Sequence, residues 1–200
     1  MREYVMVSPR AVLAGVLIGI GDVAVMESGN RYIGALLFAV ALLSIIRLGL
    51  PLYTGRVGTV LQKRNYAACS RILLWNLVGA WIPVILYRSM REDAAENVKA
   101  VADLKYSRGI VGLFAAGILC NALVHVAVVA KNEAVTVLCV MCFILCGFEH
   151  SIADFPYVCV NLWYIPEWIA VLVGNTAGAV ATEALMMRRG NGESGVREGM

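Results

Sequence analysis

The stretch CGFEHSIADF, residues 146–155, places a glutamate, a histidine and an aspartate within six positions at the end of a long apolar run. Charged side chains are costly at the depth of a bilayer, so an ionisable cluster inside a membrane-spanning segment indicates a functional site. Gly147 and Pro156 lie at either end of the cluster and predict that a helix stops and restarts there. The rest of the chain decides whether this stretch lies in a membrane.

The composition is that of a membrane protein. Hydrophobic residues make up 60% of the 200-residue chain and charged residues only 16%, and the apolar runs recur along nearly its whole length. The apolar runs leave too few residues for a separate soluble domain. The net charge of +3 is small and scattered, which argues against nucleic acid as a partner. Most of the six cysteines lie inside apolar runs, where cysteine behaves as a small hydrophobic residue.

Six helix-length stretches predict six membrane spans, over residues 11–27, 31–50, 70–88, 108–130, 134–163 and 165–187. We therefore expect one transmembrane domain over residues 1–187 and a disordered cytoplasmic tail over residues 188–200. The loops on the side of the termini carry nine Lys and Arg residues against six on the other side. This excess favours cytoplasmic termini, because positive charge accumulates in cytoplasmic loops.

Two of the predicted spans are interrupted. Gly49, Pro51 and Gly55 break the second span, and Gly147 and Pro156 break the fifth. Non-helical backbone at membrane depth persists only when it is buried in protein or lines a cavity. Breaks in corresponding spans of two halves therefore predict one central site.

A short repeat supports two halves. NLVGA, residues 76–80, lies in the third span and NTAGA, residues 175–179, in the sixth, 99 residues later. A half that holds three spans must be inverted in the membrane relative to the other half. The sequence thus predicts an all-α membrane protein of six transmembrane helices in two inverted three-helix repeats, residues 11–107 and 108–187, with helices 2 and 5 broken.

Each break restarts a helix, and the start of a helix attracts anions because its N–H groups are unpaired. Ser151 and Thr54 are the predicted N-caps of the two restarted helices, which would face each other. His150 is then either a proton donor or polar contact for a permeating anion, or a structural histidine that bonds two helices. Glu149 is expected to orient the backbone or the imidazole ring.

Four motifs together resemble the formate/nitrite transporter family: GFEHSIAD, CNALVHVAVVAK, LYTG and the paired Asn-x-x-Gly-Ala sequences. The resemblance runs from about residue 12 to residue 187. It implies a homopentamer of aquaporin-like protomers in the inner membrane of a prokaryote, each with its own pore for small monovalent anions such as formate, nitrite or hydrosulfide. The YTG and IAD sequences are most similar to the hydrosulfide branch.

The resemblance also implies roles for individual residues. His150 would be the central pore histidine, Thr54 its facing hydroxyl, Asn121 the pore asparagine and Lys105 a vestibule lysine that attracts anions. Two hydrophobic constrictions would enclose the histidine, formed by Leu42, Leu52, Tyr53, Val124 and Phe143. An apolar neck passes a neutral acid far more cheaply than a bare anion, so an anion is expected to gain a proton before it crosses, from His150 or from water.

Several positions depart from the family pattern. The chain lacks a long amino-terminal segment, so we do not expect gating by such a segment. Asp154 stands where asparagine is common and Tyr53 where phenylalanine is common. Three further cationic side chains, Arg47, Arg56 and His125, either add positive charge near the pore or pair with Asp22, Glu27 or a backbone carbonyl.

Other functions are less well supported by the residues. A neutral-solute pore of the aquaporin type would carry paired Asn-Pro-Ala boxes, which the chain lacks. A membrane enzyme or redox subunit would need a metal or haem, and the cysteines at 139, 142 and 146 are better explained as small residues on a packed helix face. Gly15 and Gly19 favour close helix contact. We expect no catalytic residues, no metal and no cofactor.

Overall fold

The structure is a computed structural model that describes residues 2–194, with side chains described for residues 9–187. This part of the chain is all-helical, with no strand among the described residues. The helices are α1 (Arg2–Glu27), α2 (Arg31–Arg47), α3 (Tyr53–Gln62), α4 (Tyr66–Met90), α5 (Ala94–Tyr106), α6 (Gly109–Val129), α7 (Glu133–Leu145), α8 (Ser151–Val158) and α9 (Ile165–Ser194), with a 3-10 turn at Leu162–Tyr164 before α9.

Four stretches are long and apolar enough to cross a membrane: Pro9–Glu27, Tyr66–Met90, Gly109–Val129 and Leu162–Met187. They correspond to the first, third, fourth and sixth predicted spans. Their outer faces expose large apolar side chains, among them Leu74, Leu86, Leu119 and Val173. Such extensive apolar exposure suits a surface in contact with lipid rather than water. The last helix, α9, continues past residue 188, where the tail was predicted to begin, and residues 195–200 lie outside the described residues.

A short non-helical segment separates two helices in each half of the chain. Residues 48–52 lie between α2 and α3, which begins beyond the second predicted span, and residues 146–150 lie between α7 and α8 within the fifth. Gly49 and Gly147 have φ angles of 60° and 68°, a conformation that favours glycine. Pro51 lies in the first segment. Gly55 and Pro156, which were predicted to break helices, lie instead inside α3 and α8, because each short helix begins before them.

Both helices that precede these segments end in the same hydrogen-bonded turn. The N–H of Gly49 bonds the carbonyl of residue 46, and the N–H of Leu50 bonds that of residue 45. Gly147 and Phe148 repeat these two bonds with residues 144 and 143. This is the Schellman ending of a helix, with glycine in the left-handed position and an apolar residue after it. Sequence and structure therefore agree on what stops α2 and α7.

The stretch between α4 and α6 was treated as a polar loop, but it contains α5. Its buried residues recur at helical spacing: Ala94, Val98, Ala102 and Tyr106. They pack on Val84, Leu113 and Tyr157 of neighbouring helices. This short amphipathic helix matters for the site, because it carries Lys105 near its end.

The two halves of the chain pack in parallel ways. The helix α1 packs mainly on α4 and α2, and α6 packs mainly on α9 and α7. Close contact needs glycine on both sides: a Cβ on Gly15 or Gly79 would overlap the backbone of the facing helix in the α1–α4 pair, and a Cβ on Gly117 or Gly174 would do so in the α6–α9 pair. The predicted Gly15 and Gly19 contact thus lies within the chain, against α4.

Candidate functional site

His150 and Thr54 meet between the two halves of the chain. The imidazole Nε2 of His150 lies 2.8 Å from the Thr54 hydroxyl oxygen, and both side chains are buried. The other ring nitrogen, Nδ1, accepts the backbone N–H of Ala153 at 3.3 Å. In a neutral ring one nitrogen accepts and the other donates, so Nε2 carries the hydrogen and donates it to Thr54. Sequence reasoning put these two residues opposite each other, and the structure places them in contact.

The helix caps differ from those predicted. His150 itself is the N-cap of α8, since its Nδ1 accepts the N–H of Ala153, and Ser151, the predicted cap, is the first residue of the helix. The Ser151 hydroxyl is buried without a hydrogen-bond partner among the described residues. In α3 the N-cap is Leu52, and Thr54 lies in the first turn, where its hydroxyl is free to face the histidine.

Apolar side chains surround the histidine. The ring of Phe143 lies nearly parallel to the imidazole, with 6.1 Å between the ring centroids. All five residues of the predicted constrictions are buried in one apolar cluster: Leu42, Leu52, Tyr53, Val124 and Phe143. The Tyr53 hydroxyl lies 2.8 Å from that of Thr176 on α9. An unpaired anion in this cluster would lose its hydration without compensation, which is costly.

A charged cluster lies next to His150. The ammonium of Lys105 is 2.5 Å from Glu149 Oε2 and 2.9 Å from Asp154 Oδ1, and both carboxylates are almost completely buried. Arg108 adds a contact of 3.3 Å to the second oxygen of Glu149 and donates to the carbonyl of Gly147. The predicted vestibule lysine is therefore held by two carboxylates. Glu149 bonds Lys105 and Arg108 rather than the imidazole of His150.

Sequence reasoning missed one member of this cluster. Asp22 of α1 is 6% exposed, and its charge interacts with Lys105, Asp154 and Glu149. One oxygen of Asp22 and one of Asp154 are buried without a hydrogen-bond partner among the described residues. Lys105 pairs with Glu149 and Asp154, and Arg108 contacts Glu149, while Asp22 is a further buried carboxylate near them. The signal available in the sequence was an aspartate in the middle of an apolar span.

Two asparagines hold the non-helical segments in place. Asn76 accepts the N–H of Tyr53 at 2.7 Å and donates to the carbonyls of Pro51 and Ala11 at 3.0 Å and 2.8 Å. Asn175 accepts the N–H of Ser151 at 2.8 Å and donates to the carbonyls of Glu149 and Gly117 at 2.9 Å and 2.8 Å. These are the asparagines of the repeated pentapeptides. Each one satisfies the backbone on both sides of a single residue, Leu52 in one half and His150 in the other.

Asn121 and His125 lie on α6 in buried positions. The amide of Asn121 donates to the backbone carbonyl of Asn175 at 2.7 Å, and its oxygen has no partner among the described residues. His125 Nε2 lies 2.8 Å from a carboxylate oxygen of Glu183 on α9, at an angle that does not make a hydrogen bond. Arg47 pairs with Glu133, which is a partner that the sequence did not suggest.

The cysteines at 139, 142 and 146 are free thiols, as are the other three. Within residues 9–187, no group of three or more His, Cys, Asp or Glu side chains is arranged to hold a metal ion.

Three comparisons relate the chain to known proteins. The family model described as "Formate/nitrite transporter" matches residues 2–187. The nitrite transporter NirC of Salmonella typhimurium is 30% identical over 171 residues, which cover 71% of this chain. The chain spans 63% of the length of that curated relative.

Two solved structures have a similar fold. An "FNT family ion channel" superposes with a TM-score of 0.80 at 22% identity, over 94% of this chain and 91% of the other. A "Pentameric formate channel with formate bound" superposes with a TM-score of 0.73 at 20% identity, over 98% of both chains. At these identities the likeness concerns the fold.

Proposed function

Because the chain belongs to the formate/nitrite transporter family, we propose that it forms a transmembrane channel or proton-coupled carrier for small monovalent anions. Formate and nitrite are the first candidates, and hydrosulfide is the third. The observation that carries the proposal is the buried contact between His150 and Thr54, where α3 and α8 begin. Two helix starts on one polar pair offer partial positive charge in an otherwise apolar region.

The surroundings of His150 support a specific mechanism. A bare anion is costly in the cluster of Leu42, Leu52, Val124 and Phe143, whereas the neutral acid is not. The N–H of His150 and the hydroxyl of Thr54 are the polar groups placed to bond the solute there. The anion therefore crosses the apolar cluster together with a proton, supplied by the imidazole or by water. The role of Lys105 as an attractor of anions stays a prediction, and so does that of Asn121 as a pore residue.

The proposed architecture has six spans. In it, α2 with α3 and α7 with α8 are two broken transmembrane helices, and residues 11–107 and 108–187 are two inverted repeats of an aquaporin-like protomer. The support is the matching local structure at both breaks: the same Schellman ending and the same asparagine bonds at Asn76 and Asn175.

The chain is an integral membrane protein of this family. We place it in the inner membrane of a prokaryote with both termini in the cytoplasm, in keeping with its Lys and Arg distribution. A homopentamer is the proposed assembly, as in the formate channel whose fold it shares. The exposed apolar side chains on the outer helix faces supply surface for both lipid and neighbouring protomers.

Uptake into proteoliposomes tests the function. Formate, nitrite, hydrosulfide and glycerol are each offered to vesicles that hold the native chain and to protein-free vesicles. We expect protein-dependent uptake of at least one anion that increases as the outside is acidified, and the order among the three anions identifies the substrate. Glycerol flux without flux of any anion would contradict the proposal and indicate a neutral-solute pore.

A further inference from the structure

A cavity of about 280 Å³ opens next to two of the predicted constriction residues, Leu42 and Leu52. Its wall also contains the turn after α2, the first turn of α3 and the end of α6. Leu52, the N-cap of α3, and Gly55, the residue after Thr54, both line the cavity, so its wall lies close to Thr54 in the chain. At about 30 Å³ for a water molecule in the liquid, the space is large enough for a small anion and part of its hydration shell.

Three cationic side chains come together at this cavity from separate parts of the chain. Arg56 of α3 and Lys131, after α6, line it directly. Arg10 of α1 reaches the same turn, where its Nη2 donates to the carbonyls of Leu48 and Gly49 at 2.8 Å and 3.2 Å. Arg56 Nη2 donates to the same Gly49 carbonyl at 3.2 Å. One carbonyl oxygen therefore holds two guanidinium groups close together.

These cations lack acidic partners in the part of the chain that the structure describes. No carboxylate of the described residues pairs with Arg10, Arg56 or Lys131. Each guanidinium has five N–H donors, and the bonds to the turn use only those on Nη2. Two adjacent guanidinium groups repel each other unless negative charge lies between or beside them. An anion in the cavity would supply that charge.

The cluster around Lys105 differs from the arginine cavity in the pairing of its charges. There, Lys105 pairs with Glu149 and Asp154, and Arg108 contacts Glu149, so the cations are already compensated. Among the described residues, the arginine cavity thus holds cations without carboxylate partners, and the lysine cluster holds cations that are paired. The two entrances to the His150 region are therefore electrostatically unequal.

We infer that Arg56, together with Arg10 and Lys131, forms a binding site for a small monovalent anion in this cavity, from which the anion enters the apolar cluster at Leu42 and Leu52. The inference rests on the proposed function, since the site would load the pathway that contains His150. Planar anions such as formate and nitrite suit it, because a guanidinium binds two oxygens of one planar group side by side.

Binding and flux measured together test the site. The probes are sodium formate and sodium nitrite, and the variants are Arg56→Gln, Arg56→Lys and Lys63→Gln. Lys63 follows α3 and is exposed, so its substitution removes the same charge from the same helix region outside the cavity. Thermal unfolding of the detergent-solubilised protein, followed against anion concentration, reports binding without any need for transport. Initial uptake rates in proteoliposomes give the half-saturating concentration.

We expect Arg56→Gln to raise the half-stabilising and half-saturating concentrations about five-fold, the size of one charged hydrogen bond that is partly exposed to water. Arg56→Lys should recover part of the loss, and Lys63→Gln should match the native chain. An Arg56→Gln variant that binds and transports like the native chain would overturn the inference, as would an equal loss in Lys63→Gln. If the anions stabilise the native chain but none is transported, the proposed function fails while the site stands.

Discussion

Asn76 and Asn175 hold two separate turns of the chain by the same bonds. Each accepts the N–H that follows a central residue and donates to the carbonyl that precedes it, and that residue is Leu52 in one case and His150 in the other. Equivalent scaffolding thus presents an apolar side chain from the first half and an imidazole from the second. The backbone around Leu52 and His150 is fixed by buried amide groups rather than by helix hydrogen bonds.

Replacing either asparagine with alanine should destabilise the protein strongly. The change leaves the buried N–H of Tyr53 or Ser151 without a partner, which costs about 2 to 3 kcal/mol. Asn65→Ala is the matched control, because Asn65 caps α4 on an exposed surface and its loss should cost only about 1 kcal/mol. The midpoint of thermal unfolding in detergent measures the difference. Equal shifts for Asn76→Ala and Asn65→Ala would show that the buried bonds matter no more than an exposed cap.

The stability of the protein should depend on the balance of charges in the cluster around Lys105 rather than on any single charged group. Lys105→Met leaves Glu149 and Asp154 buried without their cation, and breaking such a pair costs about 3 to 5 kcal/mol. The double variant Lys105→Met with Asp154→Asn removes one of the stranded carboxylates and should recover part of the stability. Thermal unfolding of the two single variants and the double variant gives the coupling energy. Strictly additive effects would mean that Lys105 and Asp154 act independently.

Glycines at the α1–α4 contact should resist substitution. A Cβ on Gly79 would overlap the carbonyl oxygen of Val12, and neither backbone can move away without separating the helices. We expect Gly79→Ala to cost about 1 to 3 kcal/mol, the usual range for overpacking, or to abolish folding. In Gly112→Ala the new Cβ meets only the Cβ of Arg108, at an ordinary 3.5 Å, so this variant should fold normally. Folded yield and thermal midpoint compare the two, and a normal Gly79→Ala protein would refute the close contact.

Asp103 on α5 should not cause a pH response near neutrality. Asp103 accepts hydrogen bonds of 2.6 Å from Lys99 and from Tyr164, and the bond from Lys99 does most to lower the pKa of its carboxyl. A lowered pKa gives stability above the unfolded value, about 3.9, that is lost only as the pH falls through the folded value. Between pH 5 and pH 8, Asp103→Asn should therefore leave the shape of the pH profile of uptake unchanged. A profile displaced along the pH axis would implicate α5 in the response.

Much of the fold could be predicted from the lengths of the apolar stretches and the positions of the glycines. The membrane class was predicted correctly, and the turns at Gly49 and Gly147 lie where the sequence indicated, because a left-handed residue ending a helix is a local requirement. The exact helix starts were not predicted. Gly55 is tolerated in the first turn of α3 and Pro156 in the second turn of α8, and His150 rather than Ser151 caps α8.

The other features that were not predicted are contacts between side chains that are distant in sequence. Asp22 is distant in sequence from Lys105 and Asp154, and nothing local to it predicts that α1 brings it to α5 and α8. The pairing of Arg47 with Glu133 likewise depends on how α2 packs on α7. The repeat of Asn76 and Asn175 was visible in the sequence, but their bonds to the backbone beside Leu52 and His150 required the fold.

The most direct test of the account compares the native chain with His150→Asn in proteoliposomes. Asparagine keeps a polar side chain of similar reach but has no ring nitrogen that can accept or pass on a proton. Initial uptake of the preferred anion is measured from pH 5 to pH 8, with Asn65→Ala as a control for general destabilisation. We predict that native uptake rises with acidity and that His150→Asn abolishes this rise or loses uptake at every pH. A folded His150→Asn protein with native rates and a native pH profile would contradict a central role for the histidine.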